Sequence, residues 1–264
     1  MGVSDILKLT TARLEAAGID SPRLEARLLI DHAHGDASAL EKSVARRLSH
    51  EPIAYITGHK EFWSLDFEVG PGVLIPRPET ELLVEEALKA FADKNAALNI
   101  LDLGTGSGAI PIAFLSERPN ARGLGVEQSQ EAMIWARKNT ARYGLESRLK
   151  LQGDDWLMLS AGRFDIVFSN PPYIESRVIP TLDPDVKDYE PLPALDGGKD
   201  GLEAYRTLAP IIAARLAPGG RAFLEIGMGQ EQKVPKVLAA SGLETIRIAP
   251  DLTGIPRCVI AALA

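Results

Sequence analysis

The chain has only one cysteine, Cys258, among its 264 residues, so it cannot form an internal disulfide. Cys258 begins an apolar run, residues 258–264, where we expect a buried strand residue rather than a nucleophile. The histidines are also few, and they form no HExxH pattern and have no cysteine partners. They are His32, His34, His50 and His59. We therefore expect no metal site.

Long apolar runs and an excess of basic charge are absent as well. No stretch reaches the roughly 18 uninterrupted apolar residues that a membrane helix requires. The first residues lack a basic region followed by an apolar core, so we expect a cytoplasmic protein with no membrane partner. The net charge of −7 disfavours an enzyme that depends mainly on binding nucleic-acid phosphates, and we expect no direct nucleic-acid partner.

The order of predicted elements changes near residue 75. Before it, three helical segments are followed by a block, residues 62–72, that suggests a short hairpin. After it, helices and strands alternate, which predicts an α/β fold with a mostly parallel sheet. The strands are expected at residues 99–103, 123–127, 148–152, 164–169, 221–226, 244–248 and 257–263. The helices are expected at residues 79–91, 109–118, 130–143, 202–216 and 231–240. The last two strands have no helix between them and should form an antiparallel pair at one edge.

A glycine-rich segment connects the first strand of this sheet to the next helix. It consists of Gly104, Thr105, Gly106, Ser107 and Gly108, and is called the glycine turn below. Glycines let a backbone approach a ligand closely, and the helix N–H groups then point at that ligand. The segment lacks the lysine of a phosphate loop, and its G-x-G-x-G spacing differs from the dinucleotide fingerprint. A glycine turn without a ligand is the alternative interpretation.

An acidic residue, Glu127, ends the next predicted strand, about twenty residues after the glycine turn. In α/β nucleotide sites an acid at this place receives the ribose hydroxyls. The two features together predict an adenosine pocket without a phosphate-binding element.

A second motif follows the strand Phe164–Ser169. It consists of Asn170, Pro171, Pro172 and Tyr173, and is called the acceptor arm below. The two prolines fix φ near −65° and donate no backbone N–H, so the arm is stiff and its carbonyls can only accept hydrogen bonds. Asn170 adds an acceptor and a donor, and Tyr173 adds a flat ring. The arm therefore suits a planar amino group, although a rigid turn is the simpler alternative.

Several blocks resemble known families. Residues 102–108 with Glu127 resemble the cofactor site of the Rossmann-like S-adenosylmethionine-dependent methyltransferases, and the acceptor arm resembles the amino-group motif of their amide- and adenine-methylating members. Five further blocks are similar to the release factor glutamine methyltransferase family, and the similarity covers nearly the whole chain. They are residues 52–58, 61–63, 74–81, 189–191 and 194–202.

This resemblance implies a Rossmann-like, seven-stranded methyltransferase domain with a small N-terminal helical domain. The expected division is a helical substrate-recognition domain of residues 1–60, a hairpin linker of residues 61–78 and a catalytic domain of residues 79–264. The implied reaction transfers a methyl group from S-adenosylmethionine to the side-chain amide nitrogen (N5) of the glutamine in the Gly-Gly-Gln motif of peptide chain release factors, which are the implied partners.

The resemblance also implies roles for individual residues in cofactor binding. The backbone of the glycine turn should contact the methionine part, and Glu127, in place of the family's usual aspartate, should accept the ribose hydroxyls. Asp155 and Trp156 should meet the adenine, although Trp156 is also consistent with a structural aromatic. Asn170 is expected at both the cofactor and the substrate.

On the substrate side, the Asn170 oxygen and the Pro171 carbonyl should each accept one N–H of the substrate amide. Pro172 should hold the arm rigid, and Tyr173 should pack on the amide plane. Two rival interpretations remain. A DNA or RNA adenine-N6 methyltransferase would use the same four residues on a flipped base. A non-enzymatic scaffold on a degenerate fold would have lost the glycine turn or Asn170, and both are present.

Overall fold

The structure, a computed structural model, describes residues 2–153, 156 and 162–264. Its N-terminal part consists of helices. They are α1 (Val3–Ala16), α2 (Pro22–His32), α3 (Ala37–Leu48) and α4 (Ile53–Thr57). Local sequence explains where they begin: Pro22 occupies the first turn of α2, and the Asp36 carboxylate accepts hydrogen bonds from two N–H groups of α3. The sequence predicts α1 to α3 but not α4, because five residues are too few to show a helical period.

These helices surround a hydrophobic core of their own. The buried members of this core are Leu14, Ile19, Ala26, Leu29, Val44 and Ile56. An ion pair between Arg47 of α3 and Glu25 of α2 joins two of these helices, with the Arg47 Nε 2.5 Å from the Glu25 carboxylate. Since both side chains are largely shielded from water, this pair is ordered more firmly than a surface pair would be.

A two-stranded hairpin follows. Its strands are β1 (His59–Phe62) and β2 (Leu65–Glu68), which pair antiparallel. The turn lies at Trp63 and Ser64, both at φ 57°, as in a tight type I′ turn. The expected hairpin therefore forms, but its first strand begins before the block that the sequence indicates, and the glycines at residues 70–72 lie beyond it.

The large sheet has seven strands. They are β3 (Asn99–Leu103), β4 (Arg122–Val126), β5 (Leu149–Gln152), β6 (Phe164–Ser169), β7 (Leu216–Glu225), β8 (Leu243–Pro250) and β9 (Pro256–Leu263). Their order is β5-β4-β3-β6-β7-β9-β8. The first five are parallel, and β9 runs antiparallel to β7 and β8. The predicted α/β fold and the antiparallel pair at one edge are thus confirmed.

Most of the helices that follow the hairpin pack on the faces of this sheet. The helices after the hairpin are α5 (Glu81–Ala90), α6 (Ala109–Glu117), α7 (Gln130–Arg142), α8 (Pro184–Lys187), α9 (Glu203–Arg215) and α10 (Val234–Ala239). One core joins α5, α6 and the hairpin to the sheet, and a second joins α9 and α10 to the opposite face. Of the helices in the described ranges, none has the length and apolar character to cross a bilayer.

The sheet reverses its order at β3 and β6. From β3 the chain moves outward to β4 and β5, and it then returns to the other side of β3 as β6. Ligands of open α/β sheets bind at the carboxyl ends of the strands where the order reverses. Leu103 and Ser169, the last residues of β3 and β6, are register partners. The glycine turn and the acceptor arm therefore start side by side.

Candidate active site

A cleft with a volume of about 200 Å³ opens at this reversal point. The structure brings together most of the residues that the sequence indicates. Those that line the cleft are Gly104, Thr105, Gly106, Ser107, Glu127, Trp156, Asn170, Pro171 and Pro172. Gly108 and Tyr173 do not line it: Gly108 is the residue before the first residue of α6, and Tyr173 lines an adjoining cavity.

The glycine turn needs its glycines for conformational reasons. Gly104, Gly106 and Gly108 have φ values of 79°, 56° and 82°, a region that side chains disfavour. The N–H groups of Gly104 and Thr105 both donate to the Val126 carbonyl, at 2.9 and 3.0 Å. The turn is therefore anchored to the end of β4, and Gly104 to Ser107 line the cleft.

Glu127 braces this turn from the next strand. Its Oε2 accepts a hydrogen bond from the Gly106 N–H and its Oε1 one from the Ser129 N–H, both at 2.8 Å. Each carboxylate oxygen can accept more than one hydrogen bond, so Glu127 keeps capacity for a ligand hydroxyl. The longer side chain thus has a structural task that the sequence does not reveal.

Asp102 lies beneath the glycine turn and is fully buried in β3. Its Oδ2 accepts a hydrogen bond from the Thr105 hydroxyl at 2.6 Å, while no described residue bonds to its Oδ1. Burial raises the pKa of Asp102 to about 7, and the charge of Glu127 acts in the same direction. In the sequence, Asp102 is conspicuous as a carboxylate within an otherwise apolar part of its strand, residues 100–103.

Trp156 is half-buried on the adenine side that the resemblance implies. A Cβ on Gly104 would stand 3.7 Å from the Trp156 ring, so the indole lies next to Gly104. Its Nε1 is buried and has no hydrogen-bond partner within the described ranges, which leaves a donor for a ligand. Asp155, expected beside it, lies outside the described residues.

The acceptor arm is held by a buried carboxylate that the sequence analysis missed. The Asn170 Nδ2 donates to the Thr80 hydroxyl oxygen at 3.1 Å, and the Thr80 hydroxyl donates to the Glu225 Oε2 at 2.6 Å. The Tyr173 hydroxyl donates to the Glu225 Oε1 at 3.1 Å. Glu225 is the last residue of β7. Its position as an acid at the end of an apolar strand could have indicated a site residue from the sequence.

Three glycines enclose the far end of this arm. A Cβ on Gly197 would lie 2.7 Å from the Tyr173 Cα, and one on Gly201 would lie 2.4 Å from the Tyr173 carbonyl oxygen. A Cβ on Gly227 would lie 2.9 Å from the Tyr173 ring. The Gln230 side-chain nitrogen donates to the same Tyr173 carbonyl at 3.1 Å. The glycine-rich block at residues 194–202 therefore serves to seat the arm.

Tyr173 borders a smaller cavity of about 90 Å³. Asn170 lines both this cavity and the main cleft, and Leu74 and Arg77 do so as well. The Asn170 amide thus stands at the junction of two spaces, one beside the glycine turn and one beside the tyrosine ring.

Residues of the remaining sequence blocks meet at the rim. Arg77 forms an ion pair with Glu190, whose Oε2 also accepts a hydrogen bond from the Ile75 N–H at 3.2 Å. Burial raises the pKa of the Glu190 carboxyl, and Arg77 acts in the opposite direction. The Tyr189 hydroxyl donates to the Ser49 carbonyl at 2.6 Å and so joins this loop to the end of α3.

The chain is similar to known methyltransferases. The Methyltransferase small domain family matches residues 78–181. A release factor glutamine methyltransferase of Caulobacter vibrioides is 44% identical over 94% of this chain and 92% of its own length. One of Rhodospirillum rubrum is 42% identical over 94% of this chain and 81% of its own. The chain belongs to the release factor glutamine methyltransferase family. It is therefore a methyltransferase, and the expected family and enzyme class are confirmed.

A solved methyltransferase of Pyrococcus furiosus has the same fold, with a TM-score of 0.56, 22% identity, and coverage of 84% of this chain and 98% of its own. The seven-stranded Rossmann-like architecture is thus confirmed. The similarity of the whole chain to release factor glutamine methyltransferases does not favour the nucleic-acid adenine methyltransferase alternative.

Proposed function

We propose that this methyltransferase transfers a methyl group from S-adenosylmethionine to the side-chain amide nitrogen (N5) of the glutamine in the Gly-Gly-Gln motif of peptide chain release factors. The position of Asn170 carries the proposal. Its amide lies at the junction of the cleft and the smaller cavity, and its Nδ2 is committed to Thr80. Its oxygen is therefore available where an amide N–H has to be held beside a methyl donor.

The cleft fits the cofactor in three respects. The glycines of the turn, which carry no side chain, allow close approach of the methionine part, and Glu127 keeps acceptor capacity for the ribose hydroxyls. Trp156 lines the cleft, and its N–H, which has no partner among the described residues, is the proposed donor to the adenine. When bound, the cofactor supplies an electrophilic methyl group on a sulfonium.

The acceptor arm orients the substrate amide. An amide nitrogen is a weak nucleophile because its lone pair is delocalised, so rate depends mainly on positioning. The Asn170 oxygen and the Pro171 carbonyl, to which no residue in the described parts donates, are the proposed acceptors of its two N–H groups. Pro172 keeps the arm stiff, and Tyr173 walls the cavity in which the amide plane would lie. The proton can leave after methyl transfer, so no separate base is needed.

The partner is proposed to be a release factor, and the enzyme is accordingly proposed to work in the cytoplasm. Residues 1–60 are proposed as the part that recognises this protein, residues 61–78 as the linker and residues 79–264 as the catalytic part. The core that α1 to α3 form with Ile56 of α4 supports such a division. The bond between Tyr189 and Ser49 connects that part to the rim of the active site.

The proposed substrate can be tested directly. We expect that labelled S-adenosylmethionine and this enzyme will place one methyl group on the loop glutamine of a release factor, as located by mass spectrometry. DNA and RNA incubated in parallel should remain unlabelled, because the acidic chain offers little to neutralise phosphates.

A release factor whose loop glutamine is replaced by glutamate is the matched control, since it keeps the fold but lacks the amide nitrogen. It should take up no label. Label on a base, or label on the glutamate variant equal to that on the natural release factor, would contradict the proposed substrate.

A further inference from the structure

We propose that Thr80 and Glu225 are positioning residues that fix which way the Asn170 side-chain amide faces. The inference rests on the proposed function, since it concerns the residue that holds the substrate amide. The two residues act through Asn170 and do not themselves have to touch the substrate.

The three side chains form a continuous hydrogen-bonded chain across separate elements. Thr80 ends the single helical turn before α5, Glu225 ends β7, and Asn170 follows β6. Thr80 is 4% exposed and Glu225 1%. Since water hardly reaches them, neither residue can exchange its partner for solvent without a large cost.

The direction of each hydrogen bond follows from the donors available. An ionised carboxylate can only accept, so the Thr80 hydroxyl must donate its single proton to Glu225. The Thr80 oxygen can then only accept, and the Asn170 group that faces it must be the Nδ2. The two ends of an asparagine amide have almost the same shape, so packing alone would not choose between them. The chain therefore leaves the Asn170 oxygen for the substrate.

Glu225 fixes the other end of the acceptor arm at the same time. Its second oxygen accepts the Tyr173 hydroxyl, and the Tyr205 hydroxyl donates to its backbone carbonyl at 2.7 Å. One buried carboxylate thus sets both the amide and the ring that border the smaller cavity.

The protonation state of Glu225 decides the direction of the hydrogen bonds that join Glu225, Thr80 and Asn170. Burial raises the pKa of Glu225 to about 7, against the opposing effects of its bonds to Thr80 and Tyr173. A protonated carboxyl can donate to the Thr80 oxygen, and the Thr80 proton then points at Asn170 and requires an oxygen there. The charged and titratable groups around Glu225 are Glu79, Tyr173, Tyr205, Arg257 and Cys258. Of the two charged ones, Arg257 lowers this pKa and Glu79 raises it.

The first test removes the Thr80 hydroxyl. Thr80→Val keeps the side-chain shape, and we expect kcat for release factor methylation to fall by about 10- to 100-fold because the amide loses its fixed orientation. The Kd of S-adenosylmethionine, measured by calorimetry, should stay within about threefold. Thr80→Ser, which keeps the hydroxyl, should restore most of the rate. The Asn170 side-chain ¹H–¹⁵N resonances should shift in Thr80→Val and not in Thr80→Ser.

Thr140→Val is the matched control. Thr140 is as buried as Thr80, but its hydroxyl donates to the Ala136 carbonyl within α7, away from the acceptor arm. Its loss should leave kcat unchanged. Equal rates for Thr80→Val and wild type would overturn the inference while leaving the proposed function intact. A wild-type enzyme that fails to methylate release factors would overturn the proposed function instead.

The second test uses pH. A proton on Glu225 reverses the direction of the hydrogen bonds from Glu225 to Asn170. We therefore expect wild-type kcat to fall about tenfold for each pH unit below about pH 7. Glu225→Gln places an N–H₂ group in this site at every pH, so its kcat should be low and independent of pH from about 6 to 8. An acid limb that persists in Glu225→Gln would contradict the role of Glu225.

Discussion

Asn170→Ala should lower kcat for release factor methylation by about 100- to 1,000-fold, the usual effect of removing one preorganised polar group from a reacting centre. The substitution removes the only side-chain acceptor of the acceptor arm that faces both the cleft and the smaller cavity. It leaves the glycine turn, Glu127 and Trp156 in place, so the Kd of S-adenosylmethionine should change by less than about tenfold. Steady-state kinetics and calorimetry on the same preparation measure the two quantities.

Asn120→Ala is the matched control for this experiment. Asn120 also uses its side-chain nitrogen to bond a backbone carbonyl, that of Asn95 at 2.9 Å, but it lies on the surface away from the cleft. Its kcat should equal that of wild type. An Asn170→Ala enzyme that loses cofactor affinity as strongly as turnover would show that Asn170 serves cofactor binding rather than amide orientation.

Gly201→Ala should abolish most activity by displacing the acceptor arm. Its Cβ would lie 2.4 Å from the Tyr173 carbonyl oxygen and 2.8 Å from the Gln230 side-chain nitrogen. Backbone atoms cannot rotate away as a side chain can, so the arm has to move. A shift of about 1 Å costs on the order of 100-fold in rate. We also expect the free energy of unfolding to fall by about 3 kcal/mol or more, as measured by urea denaturation.

Gly254→Ala separates steric displacement from backbone strain. Gly201 and Gly254 have similar φ values, 72° and 87°, but a Cβ on Gly254 would meet no atom within 4 Å. The control should lose only the about 1–2 kcal/mol that a left-handed residue costs, with full activity. Similar losses of stability and activity in both variants would mean that the contact with Tyr173 is not what requires glycine at residue 201.

The sequence predicts the bounds of a buried strand closely where these bounds depend only on the strand's own residues. The segments Asn99–Leu103 and Phe164–Ser169 form the strands expected from their β-branched and apolar composition. The strand expected at residues 221–226 instead begins at Leu216, because Phe164 of β6 pairs with Leu216 across a bulge. A pairing between residues so far apart in the chain leaves no local signal.

Helix ends were less predictable where side chains serve the active site. The helix expected at residues 231–240 forms only as Val234–Ala239. The preceding residues turn around Gln230, whose side chain accepts from the Gly227 N–H at 2.9 Å and donates to the Tyr173 carbonyl. Tertiary hydrogen bonds override the local helical preference here.

The sequence by itself determined the alternation of helices and strands, the glycine turn, the acceptor arm and the expected family, because these depend on residue type and spacing along short segments. Only the tertiary structure decided how Asn170 is held, since Thr80, Asn170 and Glu225 come from three distant segments. A hydrogen-bonded chain of this kind exists only after the strands and the turn before α5 have packed and excluded water. Its physical basis is burial, which forces each donor to find one particular acceptor.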